Sequence, residues 1–135
     1  MPKELLNRIL FVEDDPDIQE VARMALELIG GFTVVTASSG KEALELLDVV
    51  KPQLILLDVM MPEMDGPTTL KKIHTQANWT DIPVIFLTAK VQEEDRKEYK
   101  ELGAIDTIAK PFDPMNISNH IKQIWKNYSV IKKEN

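Results

Sequence analysis

Five side chains in this sequence are of types that together move a phosphoryl group, and each stands just beyond a short apolar run. Glu13 and Asp14 follow Ile9–Val12, Asp58 follows Leu54–Leu57, Thr88 follows Val84–Leu87, and Lys110 comes just after the weaker Thr107-Ile108. One carboxylate in such a place means little, because helix N-termini attract acidic residues for capping and dipole reasons alone. Asp15, directly ahead of Pro16, has that plain reading. A cluster of carboxylates is different, since it repels itself unless a cation joins it. Oxygen-only ligands with open positions suit Mg²⁺, which keeps several waters and uses few carboxylates. Asp58 ends an apolar run that holds its carboxylate rigidly, and carboxylates serve as nucleophiles that become aspartyl phosphates. The charge that such a transfer spreads over the phosphoryl oxygens needs a metal ion, an ammonium and a hydroxyl donor. Mg²⁺, Lys110 and Thr88 fit those three needs.

These residues meet only if the runs before them are strands of one sheet. Ile9–Val12, Phe32–Val35, Leu54–Leu57, Val84–Leu87 and Thr107-Ile108 read as five strands. The first, third and fourth are apolar without alternation, as in a parallel sheet covered on both faces. Helical patterns separate them. Ile18, Val21, Ala22, Ala25, Leu26 and Ile29 form the first, opened by Asp15-Pro16. Ser39 with Glu42 has capping-box spacing before the second, and Asp113-Pro114 opens a fifth along Ile117, Ile121, Ile124 and Tyr128. The third is expected from about Asp65 to His74. The fourth runs from about Gln92 to Leu102 and stops at Gly103. Val91, Tyr99 and Leu102 are its only large apolar residues, so it should pack weakly and move cheaply. Alternating strands and helices give right-handed crossovers and a doubly wound α/β sheet that binds ligands beyond the carboxyl ends of its strands. The five side chains are all at that edge. Residues 129–135 read as a polar tail, Lys132 to Asn135 as exposed chain end.

The 135 residues suit one domain, 1–135, and 44% hydrophobic with 28% charged residues is ordinary globular usage. Asp and Glu outnumber Lys and Arg by 22 to 16, and the net charge of −6 disfavours direct contact with nucleic acid or anionic lipid. The absence of cysteine removes disulfides, thiolate metal sites and thiol nucleophiles together. With no long apolar stretch, the chain reads as soluble and cytoplasmic.

Four stretches carry a resemblance: ILFVEDDP at 9–16, LLDVMMPEMDG at 56–66, PVIFLTAK at 83–90 and AKPF at 109–112. In this order, each at an expected strand end, they resemble the successive signatures of the two-component response-regulator receiver family. The likeness runs from about Arg8 to Tyr128. It implies a flavodoxin-like fold of five strands in the order 2-1-3-4-5 with five helices. It also implies Glu13 and Asp14 as an acidic metal pocket, Asp58 as phosphoacceptor, and the backbone carbonyl of Met60 as a further metal ligand. Thr88 and Lys110 would bind the phosphoryl group, with a cis bond before Pro111. The implied partners are a histidine kinase or phosphotransfer protein as donor, and a protein target read by the face of the fourth helix, fifth strand and fifth helix. Dimerisation through that face is an alternative. No DNA-binding or enzymatic output domain is expected after the fifth helix, so the chain reads as a stand-alone switch and not as an enzyme.

The sequence departs from the family where Thr107 replaces the usual aromatic residue three positions before the lysine. That puts the aromatic form of the switch in question, leaves Thr107 to pack neutrally, and shifts the signal to the fourth helix. Met60 and Lys90 stand two residues beyond Asp58 and Thr88, where the resemblance implies side chains that overhang the acyl phosphate, and Lys90 is expected to alter its lifetime. A hydrolase with an aspartyl-phosphate intermediate would need a second acid at Met60. A non-phosphorylated scaffold is not indicated, because every functional position is filled, and a flavin carrier rests on fold analogy alone. His74 and His120 lack metal-spaced partners and read as surface or boundary residues. Trp79 and Trp125 read as packing residues, although Trp125 lies off the isoleucine stripe and has the look of a partner surface. Gly30-Gly31 closes the first helix, and no phosphate-loop or dinucleotide motif is present.

Overall fold

A computed structural model describes residues 5–134. Its five strands, β1 Arg8–Val12, β2 Thr33–Ala37, β3 Leu54–Asp58, β4 Val84–Thr88 and β5 Asp106–Ala109, form one sheet in the order β2-β1-β3-β4-β5. Every pairing is parallel. The helices are α1 Pro16–Met24, continued by a π-turn Ala25–Ile29, then α2 Gly40–Val50, α3 Gly66–His74, α4 Glu93–Glu101 and α5 Ile117–Glu134. This is the doubly wound α/β fold that the strand and helix patterns require. β3 and β4 are buried at every position because both faces of the sheet are covered. Leu10, Val12, Leu57 and Phe86 pack against Leu47 of α2, Leu70 and Ile73 of α3, and Tyr99 of α4. On the other face Ile9, Phe11, Leu56 and Leu87 meet Ala22 and Leu26 beside Ile117, Ile121 and Ile124 of α5.

Local signals set the helix starts. Asp15 caps α1 by accepting from the backbone N–H of Asp17 at 2.8 Å and Ile18 at 3.3 Å. Ser39 accepts from the N–H of Glu42 at 3.1 Å, but the Glu42 carboxylate takes the N–H of Ser38 at 2.6 Å, one residue before the expected box partner. Gln92 and Asp95 form a reciprocal capping box on α4. Gly31 and Gly103 hold the left-handed turns that close α1 and α4, with φ of 75° and 114°. α4 buries only Tyr99, in line with its weak apolar pattern.

Two expectations change. The Asp113-Pro114 step makes a separate turn, with Asp113 accepting from the Met115 N–H at 2.9 Å, and the regular helix begins at Ile117. At the other end, the tail expected over residues 129–135 is helical to Glu134; Asn135 and residues 1–4 lie outside the described residues. The reason is visible in the spacing: Ile117, Ile121, Ile124, Tyr128 and Ile131 continue one stripe with no Gly or Pro to stop it. Among the described residues no helix is long and apolar enough to cross a membrane.

Candidate functional site

β1 and β3 are neighbours, so their ends lie side by side and bring Glu13 and Asp14 to Asp58. One carboxylate oxygen from each of the three lies within 4.8 Å of the others. Glu13 and Asp58 are buried, at 1% exposure each, while Asp14 is open to solvent. From the end of β5, Lys110 reaches across and donates from Nζ to Glu13 Oε1 and to Asp58 Oδ1, both at 3.1 Å. The Lys110–Pro111 bond is cis, and the backbone N–H of Lys110 donates to the Thr88 carbonyl at 2.9 Å, which ties the lysine to β4. Thr88 is buried at the end of β4, where its hydroxyl accepts from the Lys90 N–H at 3.0 Å. Met60, two residues past Asp58, is 74% exposed.

The electrostatics follow from burial. The Glu13 carboxyl is pushed up to about 7, first because burial penalises its charge and also because Asp58 adds a second negative charge. The Asp15 N–H, which donates to Glu13 Oε2 at 3.1 Å, and the Lys110 ammonium oppose that rise. Burial by itself would lower Lys110, but hydrogen bonds and charge from Glu13 and Asp58 outweigh it and hold the ammonium above its ordinary value. Glu13 and Asp58 thus share one ammonium, and Asp14 adds a third acidic group beside them, so the acidic side is in excess. That donor set, all oxygen and open at Asp14, fits a hard divalent cation such as Mg²⁺.

Two residues matter here that the sequence did not single out. Gln19, one turn into α1, donates from Nε2 to the Glu13 carbonyl and to Ser38 Oγ at 3.2 Å, fixing the backbone that carries the acidic pair. Its signal was an amide four residues after the Asp15 cap, on the helix face turned to the sheet edge. Gly66 lies so close to β3 that a Cβ would stand 2.6 Å from the Asp58 carbonyl oxygen, and its N–H donates to the Val59 carbonyl at 2.8 Å. Only a glycine allows that approach. Thr107 is buried, and its hydroxyl has no hydrogen-bond partner among the described residues. His74 bonds the Ile82 carbonyl through Nε2 at 3.0 Å, and His120 is exposed. Trp79 packs against the core and donates to Asp48 at 2.9 Å, and Trp125 packs beside Tyr128.

Known proteins resemble this chain along most of its length. The response regulator receiver domain family matches residues 9–122. The probable C4-dicarboxylate response regulator DctR of Halalkalibacterium halodurans is 36% identical over 99% of this chain and 58% of its own length. The alkaline phosphatase synthesis transcriptional regulatory protein PhoP of Bacillus subtilis is 38% identical over 91% of this chain and 50% of its own. The chain therefore spans about half the length of the curated relatives it matches. Among solved structures, chemotaxis protein CheY4 of Vibrio cholerae superposes with a TM-score of 0.81 at 28% identity, covering 89% of this chain and 99% of that one. The motifs at the strand ends, the strand order and the family match agree, and the chain belongs to the response-regulator receiver domain family.

Proposed function

We propose that this protein is a phosphorylation-dependent signalling switch whose acceptor is Asp58. The observation that carries the reading is the meeting of a buried Asp58 with Glu13, Asp14 and Lys110 at one sheet edge. An oxygen of Asp58 attacks the phosphorus of a phosphohistidine on a histidine kinase or phosphotransfer protein. The new O–P bond forms as the P–N bond breaks, and the imidazole nitrogen leaves with the electron pair and is protonated from solvent. Lys110 Nζ, within 3.1 Å of Asp58 Oδ1, turns to the incoming phosphoryl oxygens, and the Thr88 hydroxyl adds a donor. Glu13, Asp14, Asp58 and the carbonyl of Met60 would hold Mg²⁺, which when bound neutralises the charge shared by acceptor and phosphoryl group. Beside Lys110 an apolar cleft of about 250 Å³, lined by Ile18, Val21, Phe112 and Pro114, offers the donor a place to dock next to the acceptor.

The output is a change in protein contacts at the face formed by α4, β5 and α5. Tyr99 is the one side chain that α4 buries, so a small free energy moves the helix. Self-association through that face would appear as a phosphorylation-dependent mass in sedimentation. Within these 135 residues the protein works as a phosphoacceptor domain in the cytoplasm, and its charge of −6 disfavours direct contact of this domain with nucleic acid. Incubation with acetyl phosphate and Mg²⁺, followed by intact mass measurement, tests the assignment. One phosphate adduct is expected on the wild type and none on Asp58→Asn; equal labelling of both would move the acceptor elsewhere.

A further inference from the structure

Thr107 pairs with Phe86 across β5 and β4, so both side chains face α4, where the Phe86 ring meets Tyr99 edge-on at 5.1 Å. Thr88 follows Phe86 by two residues and shares that face. Thr107 is 1% exposed, and its Oγ1 is the one buried side-chain polar atom without a hydrogen-bond partner among the described residues. A hydroxyl left in that state disfavours the conformation that buries it, whereas an apolar group of the same shape would not.

A series of contacts joins this spot to the phosphoacceptor site. The Thr88 hydroxyl accepts from the Lys90 N–H at 3.0 Å, and the next carbonyl along, that of Val91, accepts from Arg96 Nε at 3.0 Å. The Arg96 guanidinium then crosses to β5, donating to the Thr107 carbonyl at 3.5 Å and pairing with Asp106 at 3.6 Å. Arg96 thus ties the β4–α4 loop and α4 to β5 at the residue that carries the buried hydroxyl.

We propose that Arg96 and Thr107 form a latch with opposed halves. The Arg96 clasp holds α4 in its resting position, and the unmet Thr107 hydroxyl penalises the same position. This rests on the phosphoacceptor reading above and goes beyond it by naming what sets the resting equilibrium. When Thr88 turns to a phosphoryl group, the Lys90 N–H loses its acceptor and residues 89–91 are released. The Val91 carbonyl then withdraws from Arg96, the clasp opens, and water reaches Thr107 Oγ1. A ligand shifts a conformational equilibrium only by its difference in affinity for the two states. The hydroxyl lowers the work the phosphoryl group must do, and the clasp raises it.

The test is a calorimetric titration with beryllofluoride, a stable mimic of the phosphoryl group, in saturating Mg²⁺. Thr107→Val removes the penalty on the resting state, so its half-saturating concentration should rise about tenfold, equivalent to about 1.4 kcal/mol. Thr107→Ser keeps the hydroxyl and should stay within about twofold of the wild type. Arg96→Ala opens the half-exposed clasp and should lower the half-saturating concentration about threefold, as suits a surface pair. Opposite shifts from two neighbouring positions are not what packing damage produces. Unchanged or tighter binding by Thr107→Val, or unchanged or weaker binding by Arg96→Ala, overturns the latch. If the wild type binds beryllofluoride and the variants match it, only the latch fails; if the wild type binds none, the phosphoacceptor reading fails with it.

Discussion

Replacing Glu13 by Gln removes a buried charge that the folded protein holds at a cost. The Glu13 carboxyl moves from 4.5 in the free side chain to about 7 in the fold, chiefly through burial. Below pH 4.5 the group is neutral in both folded and unfolded chains. Between 4.5 and 7 the unfolded chain gives up its proton while the folded one keeps it, so stability falls as pH rises, and above 7 the loss is complete. The shift of 7 − 4.5 = 2.5, at about 1.36 kcal/mol for each pH unit, makes that loss about 3 kcal/mol in the metal-free protein. About 2 kcal/mol of it falls between pH 5.5 and 8.5. Urea unfolding of wild type and Glu13→Gln in EDTA across that range measures it. The wild type should lose about 1 M more in midpoint than the variant, given urea slopes of about 2 kcal/mol/M. Saturating Mg²⁺ should remove the difference in slope, because the cation favours the ionised carboxylate. Parallel profiles for the two proteins in EDTA would refute the argument that burial raises Glu13.

Lys110→Ala leaves Glu13 and Asp58 without their shared ammonium and should lower metal-free stability by about 2 kcal/mol, below the usual cost for a fully buried pair because Lys110 is part-exposed; Mg²⁺ should restore most of it in the same urea assay. Gly66→Ala drives a methyl against the Asp58 carbonyl and should cost about 1–3 kcal/mol by thermal unfolding while also slowing phosphorylation by acetyl phosphate. Lys90→Ala should change the rate at which the aspartyl phosphate is lost, followed by intact mass after the donor is removed, and an unchanged rate would clear Lys90 of that role.

Much of the architecture is written in the local sequence. Uninterrupted apolar runs make β1, β3 and β4 strands covered on both faces, because a parallel sheet has no wet side. Asp15-Pro16 and Ser39 open helices through side-chain bonds to nearby backbone, and Gly31 and Gly103 close them by adopting positive φ. The acidic pair, the aspartate, the threonine and the lysine were also legible, since each sits at a strand end and the resemblance to receiver domains covers all of them. What the chain order does not carry is the energy of bringing them together. Glu13 and Lys110 are 97 residues apart, and only the closed sheet makes them share a hydrogen bond and lifts the Glu13 carboxyl to about 7. The π-turn in α1, which brings the Ala25 carbonyl to both Gly30 N–H and Ser118 Oγ at 3.3 Å, likewise depends on a partner from the far end of the chain. So does the solitude of the Thr107 hydroxyl, set by what α4, β4 and β5 place around it. Strand ends and helix caps are near-neighbour properties of a sequence, whereas desolvation and unmet hydrogen bonds depend on everything that surrounds an atom, and that exists only in the folded chain.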